Sequence, residues 1–170
     1  MSRHAPRPRG FTLIELLIVV VIVGILTTTV ALSLSHAPHA QARAEVQRLA
    51  ALLEAASSEA LAGQRQLAWS ATPDGYEFLF APPATDHAPH WQPLLEDELF
   101  HPRRFEDGLH LRQIEVEGQP LPAGSPLIFR RADPVLFDLR LDTDNSGSTG
   151  ATSFRLRGLP TGQVTVEELS

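Results

Sequence analysis

The chain has 170 residues, with 14 basic residues, all arginine, against 20 Asp and Glu, a formal net charge of −6 at pH 7, and no cysteine. One long apolar run within that length leaves room for one modest soluble domain of roughly 100 residues around a single core, and argues against a second. The acidic balance argues against nucleic-acid binding, and the lack of cysteine excludes disulfide staples, so packing or partners must hold the domain.

The first ten residues, MSRHAPRPRG, carry Arg3, Arg7 and Arg9 and no apolar core of their own. Residues 11–35 read as a transmembrane helix. From Leu16 to Leu34 no residue is charged, and a helix of that length rises about 28 Å, close to the hydrocarbon thickness of a bilayer. A Sec-type signal would be cut at small residues beyond the apolar run, where suitable sites are poor, so the natural boundary lies before the run. With the arginines on one side and an acidic remainder on the other, the positive-inside rule puts the N-terminus in the cytoplasm and the bulk of the chain across the membrane. Glu15 stands inside the apolar run, where a carboxylate costs about 2.5–3.5 kcal/mol on insertion scales and needs a partner or a place near the interface. In an ordinary signal anchor, Thr12 would cap the helix and Glu15 would close a capping box.

The segment Arg9-Gly10-Phe11-Thr12-Leu13-Ile14-Glu15 resembles the class III signal of type IV pilins and pseudopilins. The resemblance implies that a prepilin peptidase cuts between Gly10 and Phe11, that Phe11 is then N-methylated, and that the apolar helix stays behind as anchor and assembly stem in the lipid bilayer. It implies further that the freed Phe11 amine, on an incoming subunit or its neighbour, neutralises Glu15 as helices pack into a filament. Loss of residues 1–10 leaves eleven arginines against twenty acids, a net charge near −9.

Beyond the apolar run, Pro38 predicts a kink near the membrane surface. Residues 36–63 otherwise read as an amphipathic helix. Ala42, Val46, Leu49, Leu53, Ala56 and Ala60 recur at spacings of four and three, widened by Leu52 and Leu61. The opposite face is expected to carry Arg43, Glu45, Arg48, Glu54 and Glu59, with Gly63 as the stop. The stripe from Leu49 to Leu61 suits a helix packed on its own sheet, and the stretch before Glu45 suits a filament contact.

Residues 64–170 read as an antiparallel β domain, giving an α+β fold. Gln66–Ala71 and Tyr76–Phe80 flank Thr72-Pro73-Asp74-Gly75, a strong turn sequence, and form a hairpin. Residues 81–93 are expected to form a long Pro- and His-rich loop, residues 94–105 are ambiguous, and Asp107-Gly108 turns into a strand at Leu109–Val116. Further strands are expected at Leu127–Arg130, Val135–Leu141, Ser153–Arg157 and Gln163–Glu167. This order of pieces, with Trp91-Gln92-Pro93-Leu94, Arg103-Arg104-Phe105, Asp107-Gly108-Leu109 and Thr161-Gly162-Gln163-Val164, resembles H-type minor pseudopilins of type II secretion.

Three features of the sequence bear on chemistry. The run Asp142-Thr143-Asp144-Asn145-Ser146-Gly147 opens like a calcium loop, but the twelfth position is Ser153 rather than a bidentate glutamate. A looser calcium site on Asp142, Asp144 and backbone carbonyls is the weaker reading, and a polar hairpin loop the stronger. His36 with His39, and His87 with His90, are interrupted by Pro38 and Pro89 and read as solvated loop histidines. No phosphate loop or nucleophile elbow appears, which argues against an enzyme and against any cofactor.

The family resemblance therefore implies a minor pseudopilin, single-pass in the inner membrane with its C-terminal domain in the periplasm, at or near the tip of a type II secretion pseudopilus. Its implied partners are the prepilin peptidase, other major and minor pseudopilins, the inner-membrane assembly platform and exoprotein substrates, with no nucleic acid. The alternatives are a minor pilin of type IV or DNA-uptake pili and, more distantly, a membrane-anchored enzyme.

Overall fold

The computed structural model describes residues 14, 17, 40–63, 65–82, 90–105, 108–143 and 152–169. The chain divides into two compact units, Met1–Pro38 and His39–Ser170. In the first, Ile14 and Leu17 are helical and exposed. The leader, the remainder of the expected transmembrane helix and the expected kink at Pro38 lie outside the described residues. Among the described residues no helix is long and apolar enough to cross a membrane.

The second unit is α+β. Its helix, α1 (residues 40–61), buries Ala42, Val46, Leu49, Leu52, Leu53, Ala56 and Ala60, the stripe that the spacing predicts, while Leu61 is only half-buried. The helix stops as expected: the Ala62 N–H donates to the Ser58 carbonyl (2.9 Å) and the Gly63 N–H to that of Ala60 (3.0 Å). Gly63 takes φ +71°, a left-handed conformation open to glycine without a Cβ penalty. The expected polar face is half-buried at Glu54 and Glu59 and differs most at Glu45. Glu45 is only 6% exposed, because it lies three residues after Ala42 and four before Leu49 and so falls within the apolar stripe itself.

Two five-stranded antiparallel sheets share the core with α1. In the first, β1 (Gln66–Thr72) and β2 (Gly75–Ala81) form the expected hairpin, paired from Gln66↔Ala81 to Thr72↔Gly75 around Pro73-Asp74. A two-residue strand, β7 (Leu127–Ile128), lies on the far side of β1, where the Phe129 N–H also donates to the Leu67 carbonyl (2.9 Å). The expected strand at Leu127–Arg130 is thus shorter than its apolar run. The outer edge of β2 carries two further short strands, β3 (Gln92–Pro93) and β4 (Arg103–Arg104), neither expected from sequence. Gly75 lets β4 approach, since a Cβ there would overlap the Arg103 carbonyl oxygen.

The second sheet runs β10-β9-β8-β5-β6, with β5 (Leu109–Val116), β6 (Gln119–Pro120), β8 (Phe137–Thr143), β9 (Ser153–Gly158) and β10 (Val164–Leu169). Four of these match expected strands within about two residues. The fifth, β6, folds back on β5 through a two-residue turn in which Glu117 has φ +52° and Gly118 +76°, the twist that a tight hairpin requires. Phe137, Leu139, Leu141, Phe154 and Leu156 point into the core, and the intervening residues make the opposite face polar.

Candidate functional site

The residues that the sequence marks for processing and assembly, Gly10, Phe11 and Glu15, lie outside the described residues. The site that can be built is the one by which the domain holds α1.

At the beginning of α1 the fastening is the buried Glu45. Its Oε2 accepts a hydrogen bond from Arg48 Nη1 (2.8 Å) and its Oε1 accepts one from the Tyr76 hydroxyl (3.3 Å). Tyr76 is held in place by the alternation of β2, which turns it, with Phe78, toward Trp69 on β1. Its ring lies 5.4 Å from that of Phe105 and 6.2 Å from those of Trp69 and Phe78. Burial, and then the charge and hydrogen bond of Glu45, push the Tyr76 phenol far above its ordinary range, so it stays a donor. Nearby in the register Arg103 faces Tyr76 across β4; its buried Nε and the buried Trp69 Nε1 have no hydrogen-bond partner. A carboxylate occupied by both a guanidinium and a phenol ties helix to sheet rather than serving as a free base.

The middle of α1 is tied to the last strand. Glu54 Oε1 accepts the Val164 N–H at 2.6 Å, a contact between residues far apart in sequence. A side chain built at Gly162 would come within 3.7 Å of Ser57 and Leu61, so the turn before β10 lies on the helix. Past the end of α1, Arg65 bridges two acids, donating from Nε to Glu59 and from Nη1 to Asp97 Oδ2 (2.9 Å), with its guanidinium over the Phe100 ring. Asp97 Oδ1 also accepts the Leu99 and Phe100 N–H groups, both at 3.0 Å. Burial alone would raise the Asp97 carboxyl, but these amides and Arg65 hold it below the usual carboxylate range. The same pairings raise the Arg65 guanidinium.

The weaker calcium reading divides at the edge of the described residues. Asp144 and the rest of 144–150 lie outside them. Asp142 belongs to β8, where Oδ1 accepts the Ser153 hydroxyl (2.8 Å) and Oδ2 stands 3.8 Å from Arg112 Nε, the cross-strand pattern of a polar hairpin. Among the described residues no group of three or more His, Asp or Glu could hold a metal ion. His90 is exposed, and His36, His39 and His87 lie outside the described residues. Of the adjacent arginine pairs, Arg130 donates to Glu117 (2.7 Å) while Arg104 and Arg131 are exposed.

The sequence reading missed Glu45 and Glu54 as fastenings and left Arg65 and Asp97 unassigned. Glu45 was detectable from its spacing inside the stripe, and Asp97 from its place three residues ahead of an aromatic, where aspartate caps a turn. The partnership of Glu54 with a backbone amide on β10 has no local signal.

No curated protein and no solved structure matches the chain. Residues 6–31 match the prokaryotic N-terminal methylation motif, the prepilin signal found at the head of type IV pilin-like proteins. That match spans Gly10, Phe11 and Glu15, and it indicates a type IV pilin-like protein, processed by a prepilin peptidase and assembled with other pilins.

Proposed function

We propose that this chain is a minor pseudopilin, a structural subunit at or near the tip of a type II secretion pseudopilus that supports export of folded proteins across the outer membrane. The observation that carries the reading is the methylation motif at residues 6–31 standing ahead of a compact α+β unit. On this reading residues 11–35 anchor the subunit in the inner membrane, the N-terminus is cytoplasmic before processing, and the domain works in the periplasm. Its role is binding and assembly, with other pseudopilins and the inner-membrane platform as partners and exoproteins as clients.

The H-type assignment rests on the sequence resemblance. Two of its segments, Gln92-Pro93 and Arg103-Arg104, form β3 and β4 on the outer edge of β2, with β4 beside the Pro73-Asp74 turn. A DNA-uptake pilin would need an exposed basic strip. Here Arg130 is paired with Glu117, and the last strand holds Glu167 and Glu168.

Glu15→Ala tests the assembly role. If Glu15 receives the Phe11 amine, the variant inserts and is processed, because its helix no longer carries a charge into the membrane, yet fails to co-purify with the other pseudopilins. If Glu15 only caps the helix, the loss is about 1 kcal/mol and assembly survives.

A further inference from the structure

Among the described residues, three of the sheet edges in the domain are closed by strands of two residues. These are β3 with β4 on β2, β7 on β1, and β6 on β5, and both β3 and β6 contain a proline, which cannot donate to an added strand. The fourth edge, β10, is six residues long and contains no proline. Its hydrogen-bond parity follows from two contacts. The Leu159 N–H donates to the Gln163 carbonyl (2.8 Å), so Gln163 points toward β9 and Val164, the next residue, points away. In agreement, the outward Val164 N–H is taken by Glu54. The unbroken register from Val164↔Gly158 to Leu169↔Ser153 carries this alternation along the strand. The N–H groups of Val166 and Glu168 and the carbonyls of Val164, Val166 and Glu168 therefore face outward, and among the described residues β10 pairs only with β9.

We infer that this outer edge of β10 is a docking site for an extended segment of another protein that carries basic side chains, joined by main-chain hydrogen bonds as an added strand. Charge selects the occupant. Glu167 and Glu168 are both exposed, and Arg155, across from Glu167, gives its hydrogen bonds to Asp138 while feeling the charge of Glu167. Glu168 lies across from Phe154 and has no cation opposite it. The exposed Leu169, at 36%, adds an apolar contact at the end of the edge. A second copy of β10 laid antiparallel would bring two carboxylates together on each face of one short ladder, a repulsion that disfavours self-pairing. Glu54 fixes where docking begins, because it already occupies the first outward amide.

The test uses the full-length protein in detergent micelles and, as probe, a fluorescent hexapeptide of alternating arginine and valine, read by anisotropy. A second peptide of the same sequence carries N-methyl groups on all its internal amides, which leaves its charge intact and blocks both hydrogen-bonding edges. Glu168→Pro removes an outward N–H and no hydrogen bond to β9. The expected result is binding that falls by about tenfold or more with the methylated peptide and with Glu168→Pro. It should fall by about threefold or more with Glu167→Gln and Glu168→Gln together. Equal binding of the methylated peptide would show attraction by charge alone and overturn the inference, whether or not Glu168→Pro folds. So would absence of binding by the unmodified peptide, or self-association of the protein that Glu168→Pro abolishes.

Discussion

The sheet built on β1 and β2 and the sheet built on β8 and β9 share a core but are stabilised differently. The first meets it with Trp69, Tyr76 and Phe78, joined by Phe100 and Phe105, and its edges are closed by short strands and by the segment that Arg65 and Asp97 hold in place. The second meets it with Leu139, Leu141, Phe154 and Leu156, and turns outward a lattice of charges. There Asp138 accepts from Arg155 at 2.7 Å and stands 3.8 Å from Arg157, while Asp142 faces Ser153 and Arg112. One sheet is specified by large interlocking rings and closed against further pairing. The other is specified by ladder register and, among the described residues, ends in an open strand. Packing should therefore dominate the loss when the first is cut, and local opening when the second is.

The largest effect is expected from Phe78→Ala. Phe78 is fully buried, 4.9 Å from the Phe100 ring and edge-on to Tyr76. Its truncation should cost about 3–5 kcal/mol in a denaturant titration, the range for aromatic residues deleted from a tight core. A loss below about 1 kcal/mol would mean that the aromatic cluster relaxes and that the contrast between the sheets is wrong.

Much of this was legible in the sequence wherever a period or a turn carried the signal. The stripe from Ala42 to Ala60, the hairpin around Pro73-Asp74 and the strands at 109–116, 153–158 and 164–169 each repeat a pattern over enough residues to be read. Strands β3, β4 and β6 span two residues each and have no period to detect; they exist because the adjacent strand offers a free edge. Glu45 was misplaced because its charge outweighed its spacing, although Tyr76 and Arg48 satisfy that charge inside the stripe. At the N-terminus the order was reversed: Gly10, Phe11 and Glu15 fall within a contiguous motif, matched over residues 6–31, that local sequence alone carries.

A smaller effect should separate the sheets more finely. Glu54→Ala removes the carboxylate that holds the Val164 N–H, a charge-assisted bond on a half-buried residue, and should cost about 1–2 kcal/mol. Hydrogen exchange should accelerate in β10 while the amides of β1 and β2 keep their protection. Equal acceleration in both sheets would mean that the domain opens as one piece.

The smallest effect belongs to acid pH. Asp97 is held below the usual carboxylate range, so its folded-state preference for the charged form adds stability above its unfolded pKa, about 3.9. That contribution is lost as pH falls through the lower folded value. Asp97→Asn should flatten the fall of melting temperature below about pH 4. At pH 7 it should cost about 1 kcal/mol or less, because Arg65 is 37% exposed and solvent screens the pair. An unchanged acid limb would show that the segment 94–100 is held by Phe100 packing and not by the bridge.

The central claim, that this is a pilin-like subunit made as a precursor, is tested most directly at its N-terminus. The chain would be co-expressed with a prepilin peptidase and the mature protein analysed by intact mass and N-terminal peptide sequencing. The expected product begins at Phe11, carries an N-methyl group and lacks residues 1–10, and replacing Gly10 with a bulky residue leaves the precursor uncut. An intact Met1, or a cut beyond residue 35, would contradict it.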